Sequence, residues 1–169
     1  MGENENLIAD ILKVCKVLNK HSVEYLIVGG TAVAIHGYYR MTILSSGISA
    51  DKHDLDFWYN PTYENYYNLL NAIEELGIDV SEFKNELNPN PKKSFFTQEF
   101  DDFKIDFLPE LIGLGGFNKS YSNRIISQID AIEICIISLK DLIKNKESTL
   151  RPKDADDLMH LRSLKNKKD

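Results

Sequence analysis

Two carboxylates stand one residue apart on a short apolar stretch, Asp54-Leu55-Asp56-Phe57-Trp58-Tyr59. On a strand, residues i and i+2 share a face. Asp54 and Asp56 would then project together, with Leu55 turned into the core. Adjacent carboxylates repel, and burying them without a counter-charge is costly. A divalent cation relieves the repulsion. Mg²⁺ takes hard oxygen ligands and commonly keeps a substrate phosphate among them. A second feature is Gly29-Gly30, directly after the apolar run Tyr25-Leu26-Ile27-Val28. Glycine lets the backbone approach a ligand closely and adopt positive φ. A helix opening there offers free N–H groups to a phosphate. A metal on one strand beside a phosphate cradle on its neighbour is the equipment of phosphoryl or nucleotidyl transfer, which needs mainly positioning and charge neutralisation. Nicotinamide chemistry fits poorly, because Gly29-Gly30 lacks the third glycine of the dinucleotide fingerprint and leaves the Asp pair unexplained.

The elements that must position these residues follow from periodicity. Residues 6 to 18 carry apolar side chains at helical spacing. Residues 25 to 28 read as a strand, and Thr31 to His36 as a short helix closed by Gly37. Residues 38 to 53 read as loop, and Asp54 to Tyr59 as the next strand. A helix over Glu64 to Leu76 ends at Gly77. Residues 85 to 93 form a polar loop. Ser94 to Gln98 and Phe103 to Phe107 read as strands joined by an acidic turn, Asp101-Asp102. Leu111 to Ser122, with Gly113, Gly115 and Gly116, reads as loop. Arg124 to Ile129 and Ala131 to Ile137 read as a strand pair. Helices over Leu139 to Lys146 and Lys153 to Ser163 precede a solvated tail from Lys165 to Asp169. This order predicts an α+β fold with a mixed β-sheet flanked by helices.

At 169 residues, with 43% hydrophobic and 27% charged, the chain suits one globular domain, residues 1–169. The net charge of −6 argues against a protein held to nucleic acid mainly by phosphate neutralisation. Cys15 and Cys135 lie in apolar segments without metal-ligand spacing, as buried thiols of a reducing compartment would. The acidic N-terminus is unlike a signal peptide, and no apolar run approaches the roughly 20 residues that span a bilayer. These features predict a cytoplasmic protein with no membrane partner. His21, His36, His53 and His160 have no zinc spacing and read as structural or surface residues. Tyr59, Tyr63, Tyr66 and Tyr67 could stack a base, but packing in the core and on a helix face is the simpler reading.

The ordered motifs resemble the nucleotidyltransferase superfamily, in particular its small stand-alone branch of AbiEii-like toxins and MNT-type antitoxins. Residues 25–32, Tyr25 to Ala32, look like that branch's strand, Gly-Gly and helix opening. His36-Gly37 and Arg40-Met41-Thr42 look like its continuation. Asp54-Leu55-Asp56-Phe57 is similar to its paired acids, and Lys104-Ile105-Asp106-Phe107-Leu108 to the strand bearing a third. Asp141-Leu142-Ile143, Lys146, Arg151-Pro152-Lys153-Asp154 and Asp157-Leu158 are similar to its closing segment. The likeness covers about residues 23 to 160. It implies a nucleotidyltransferase-like fold in which Asp54, Asp56 and Asp106 ligate Mg²⁺ or Mn²⁺, and Asp106 helps deprotonate the acceptor. Gly29, Gly30 and Thr31 would hold a nucleoside triphosphate such as ATP, and Arg40, Lys146 and Arg151 would approach its phosphates or the acceptor. The sequence departs from the pattern at one place. The Arg-x-Thr element usually stands just before the first acid, whereas Thr42 precedes Asp54 by twelve positions, with an insert over residues 43–51.

Two functions follow as expectations. One is a metal-dependent enzyme that moves a nucleoside monophosphate onto a hydroxyl of RNA (a tRNA, for a toxin-like protein), of a protein or of a small molecule. The other is a binding module with weak or no turnover, acting as a toxin–antitoxin or regulatory partner of a second protein.

Overall fold

The computed structural model describes residues 3–38, 53–149 and 151–168. Helix α1 (Glu3–Lys20) buries Ile11, Leu12, Val14, Cys15 and Leu18 along one face, as their spacing requires. Strand β1 (Tyr25–Val28) is buried throughout and runs straight into α2 (Gly29–Tyr38). Strand β2 (His53–Tyr59) carries the two acids. Helix α3 (Tyr63–Glu75) is capped by Thr62, whose side chain accepts the Asn65 N–H, and gives way to Gly77 at φ 98°. Then come α4 (Ser81–Lys84), a 3₁₀ turn (Pro91–Lys93), β3 (Phe96–Glu99), β4 (Phe103–Leu108) and α5 (Phe117–Ser122). Strands β5 (Ile125–Ile129) and β6 (Ile132–Ile136) and helices α6 (Leu139–Thr149) and α7 (Pro152–Lys168) complete the described chain.

The strands form one six-stranded mixed sheet in the order β3-β4-β2-β1-β6-β5. β1 is antiparallel to β2 and parallel to β6, and β2 is parallel to β4. The outer pairs β3/β4 and β5/β6 are antiparallel hairpins. This is the mixed sheet flanked by helices that the order of elements predicts. The core is contributed by Leu26, Ile27, Leu55, Phe57, Trp58 and Ile105 of the central strands, among others, with Leu69 of α3 and Leu142 of α6. Cys15 and Cys135 are both buried free thiols. His36 joins α2 to the end of β6, its Nε2 lying 2.9 Å from the Ile137 carbonyl oxygen.

The structure differs from the sequence reading in several places, among them the short helix α4, which the sequence does not announce. Gly29 and Gly30 form the first turn of α2, and Gly37 lies within that helix, which runs to Tyr38. Residues 117–122, read as loop, are helical. Phe117 is buried edge-on against Trp58 and stacks on Tyr121 one turn later. That packing outweighs the glycines that dominate the local sequence. Helix α7 continues to Lys168 and takes in the supposed tail, because Leu161 and Leu164 keep an apolar stripe buried. The polar loop over 85–93 contains the 3₁₀ turn. Arg40, Thr42 and the insert over 43–51 lie outside the described residues.

Candidate active site

The parallel register of β2 and β4 sets Asp56 opposite Asp106 and Asp54 opposite Lys104. The Asp56 and Asp106 carboxyl groups thus lie close enough for their charges to act on one another. The Thr97 hydroxyl donates to Asp106 Oδ1 from the neighbouring strand, and Lys104 Nζ lies 3.8 Å from Asp106 Oδ2. Leu55 is fully buried between the two acids of β2, and Asp54 is exposed. Asp102 is an exposed turn residue between β3 and β4. Burial pushes the Asp56 carboxyl up to about 6, helped by the negative charges of Asp106 and Asp54. The carboxylates are thus crowded by the fold itself.

Gly29 is the first residue of α2 and has φ 64°. A Cβ there would stand 2.3 Å from Asp56 Oδ2. The metal-type acid and the glycine turn are therefore in direct contact, and no side chain fits between them. Gly30 is different, because a Cβ on it meets nothing within 4 Å. The Thr31 hydroxyl, which is buried, donates to the backbone oxygen of Asp54 at 2.7 Å and ties α2 to β2. A substitution pair separates the two glycines. Gly29→Ala is expected to cost about 1–2 kcal/mol from the left-handed backbone alone, with a further loss from displacing Asp56. Gly30→Ala is expected to keep or slightly raise thermal stability, since alanine favours helix over glycine by about 1 kcal/mol. Melting curves of both variants check this, and equal destabilisation by the two would contradict it.

Gly29, Asp56 and Asp106 open into a cavity of about 1030 Å³ whose lining includes Lys146 and Arg151. Both basic residues are brought in by the junction of α6 and α7. Lys146 is 2% exposed, against the ordinary expectation that a lysine near a helix end is solvated. Its Nζ lies 3.1 Å from Asp154 Oδ1 and 3.1 Å from Asp157 Oδ2. Asp154 is fully buried in the first turn of α7. It accepts the Thr149 hydroxyl, the Arg151 backbone N–H at 3.2 Å and the Arg151 Nε at 2.9 Å. Burial works against its ionised form. The hydrogen bonds from Arg151, Thr149 and Lys146 outweigh burial and hold it well below the usual carboxylate range. Asp154 does more than cap α7: it aligns two cations at the cavity.

Lys92, Lys93 and Phe95 also line the cavity. Lys92 and Lys93 fall where the sequence reads only as a polar loop and Phe95 in the strand read over Ser94 to Gln98, although a basic pair followed closely by an aromatic was a usable signal. A further wall, residues 108–112, is fastened to α6 by Asn145 Nδ2, which donates to the Ile112 carbonyl at 2.8 Å. Gly113, at φ 85°, lets Ser148 of α6 pack against that wall, since a Cβ would lie 2.0 Å from Ser148 Oγ.

Among the described residues no three His, Cys, Asp or Glu side chains close around one point. Mg²⁺ does not need an all-protein cage, because one or two carboxylates plus substrate phosphates suffice. The hard, partly buried Asp56–Asp106 pair, with the exposed Asp54 on β2, fits that requirement. No helix among the described residues is long and apolar enough to cross a membrane.

No protein-family profile and no curated protein sequence matches the chain. Solved structures do match. The crystal structure of the lincosamide antibiotic adenylyltransferase LnuA, with lincomycin bound, superposes with a TM-score of 0.57 at 15% identity, over 96% of this chain and 98% of that one. The solution structure of the antibiotic-resistance factor ANT(2'')-Ia gives 0.56 at 18% identity, over 100% of this chain and 86% of that one. An antigenic nucleotidyltransferase-like protein from Paracoccidioides brasiliensis gives 0.51 at 10% identity, over 97% and 77%. Identities this low speak to architecture and leave substrates aside, and on architecture the chain has the nucleotidyltransferase fold.

Proposed function

We propose that the chain is a metal-dependent nucleotidyltransferase, one catalytic unit that moves a nucleoside monophosphate from a nucleoside triphosphate to an acceptor hydroxyl. The observation that carries this reading is the Asp56–Asp106 pair set side by side by the strand register, with Asp56 against Gly29, in a cavity that Lys146 and Arg151 also line. Asp54, Asp56 and Asp106 would hold Mg²⁺ or Mn²⁺. When bound, the cation neutralises phosphate charge and favours ionisation of the acceptor hydroxyl. The acceptor oxygen attacks the α-phosphorus, the bond to the β-phosphate bridge breaks, and pyrophosphate leaves. Asp106 would take the acceptor proton. Gly29 and Gly30 let the triphosphate approach the N-terminal turn of α2, where N–H groups point outward. Thr31 contributes by holding that turn against β2. Arg151 and Lys146 face the departing charge, and Arg40 is assigned to the phosphates by resemblance.

Two titrations test the reading. Calorimetry of Mg²⁺ with a non-hydrolysable nucleoside triphosphate should show metal-dependent binding that disappears when Asp54 and Asp56 are both alanine. Incubation with α-labelled nucleoside triphosphates should then release pyrophosphate and label an acceptor. A well-folded protein that binds no nucleotide would overturn the proposal. Kinship to the AbiEii-like and MNT-type branch rests on the ordered motifs from Tyr25 to Leu158, and a cytoplasmic site of action on the two free buried thiols.

A further inference from the structure

We infer that the acceptor of this reaction carries a phosphate beside a planar ring, as a nucleotide unit does, and that Lys92, Lys93 and Phe95 receive it. The inference rests on the transfer reading and adds the substrate class. In the sheet, β2 and β4 hold the acids at the centre. Gly29 follows β1 on one side, and α6 and α7 both pack on α2, so Lys146 and Arg151 approach from that side. The 3₁₀ turn with Lys92 and Lys93 leads into β3, on the far side of β4. Two cationic poles thus flank one carboxylate pair.

The near pole suits the donor triphosphate. The far pole is a second set of charges with no ion pair among the described residues. It is also held in place. The buried Tyr59 hydroxyl sits between the Pro91 and Ser94 carbonyl oxygens, and the Ser94 hydroxyl donates to the Asn90 carbonyl at 2.8 Å. Tyr59 ends β2, so the lysines are referenced to the strand that carries Asp54 and Asp56. Phe95 presents a ring that is 51% exposed on this wall. Anchored lysines recognise phosphate as point charges, and an exposed ring stacks a base. The cavity lies at the upper end of ligand-pocket sizes, roughly 300–1,000 Å³, so donor and acceptor fit together. Among the described residues, Glu110 is the single carboxylate on the outer walls, too little to attract a polycationic acceptor.

The test keeps donor and acceptor separate. Wild type and a Lys92→Glu, Lys93→Glu double variant are saturated with Mg²⁺ and a non-hydrolysable nucleoside triphosphate, then titrated with adenosine 5′-monophosphate, adenosine, a short single-stranded oligonucleotide or kanamycin. Wild type should bind a phosphate-bearing probe at least about tenfold more tightly than adenosine or kanamycin, and the variant should lose that margin while keeping its donor affinity. Preference for the monophosphate identifies a free nucleotide as acceptor, and preference for the oligonucleotide identifies a strand end. Equal binding of all four probes, or an unaffected margin in the variant, overturns the inference. So does loss of donor binding in the variant, which would give the lysines to the donor. If wild type binds no triphosphate, the transfer reading fails instead, and lysine-dependent binding of the monophosphate to the free protein still reports on the wall.

Discussion

Replacing Asp56 by asparagine is expected to abolish transfer and, at the same time, to make the metal-free protein more stable at neutral pH. Asp56 shares its space with Asp106, Asp54 and the Gly29 backbone. Its carboxyl is pushed up to about 6 by burial and by those neighbouring charges, whereas an unfolded aspartate titrates near about 3.9. The folded chain therefore binds this proton more tightly than the unfolded one. By linkage, the Asp56 contribution stabilises the fold as pH falls through about 6 and is lost as pH rises through it. At pH 7 the ionised group costs about 3 kcal/mol, much of which asparagine relieves. For a chain of this size that is a rise of several degrees in melting temperature. The advantage should vanish near pH 4, where wild type is itself protonated. Transfer should fall by about a thousandfold or more, since charge stabilisation worth several kcal/mol goes with the ligand. Melting curves at pH 4, 5.5 and 7, alongside pyrophosphate release, check both halves. A variant less stable than wild type at pH 7, or one that is fully active, would show that Asp56 is a structural residue.

The second large effect concerns Asp154. Asp154→Ala is expected to destabilise the protein by about 3 kcal/mol, a large fraction of the 5–15 kcal/mol typical of a domain. The loss leaves the buried Lys146 ammonium with Asp157 alone and strips Thr149 and Arg151 of their acceptor. Lys146→Met removes the opposite partner, and the double variant removes both charges. Exchanging a buried pair for apolar groups is often neutral. Urea unfolding should therefore show the double variant less destabilised than the two single changes summed, by at least about 1 kcal/mol. Strict additivity would mean that the pair does not interact as its geometry requires. The low-lying Asp154 titration sets the pH range. Its contribution is present throughout neutral pH and is lost only below the usual carboxylate range.

The Asp-x-Asp and Gly-Gly elements were legible because each is local. A two-residue period puts Asp54 and Asp56 on one side of β2, and a glycine pair after a buried strand marks a turn whatever lies around it. The α+β class was legible for the same reason, since strands and helices announce themselves by period. The six-residue helix α5 was not, because its stability comes from Phe117 against Trp58, a contact between residues far apart in the chain. Lys146 shows the limit most clearly. Its local sequence, a lysine among polar residues near a helix end, describes a solvated face. Its burial is decided by how α7 docks on α6, which brings Asp154 and Asp157 to its ammonium.

What the sequence determined by itself, then, were the types of chemistry present: paired carboxylates on a strand, a glycine turn beside them and cations near the C-terminus. The tertiary structure decided which of them meet. The parallel register of β2 and β4 set Asp106 beside Asp56. The contact of Gly29 with Asp56 turned two separate motifs into one site. The anchoring of the 3₁₀ turn on Tyr59 brought Lys92, Lys93 and Phe95 to the same cavity. Side-chain period depends only on neighbours along the chain, whereas strand register and helix docking depend on burial summed over the whole core, and that sum exists only once the chain has folded.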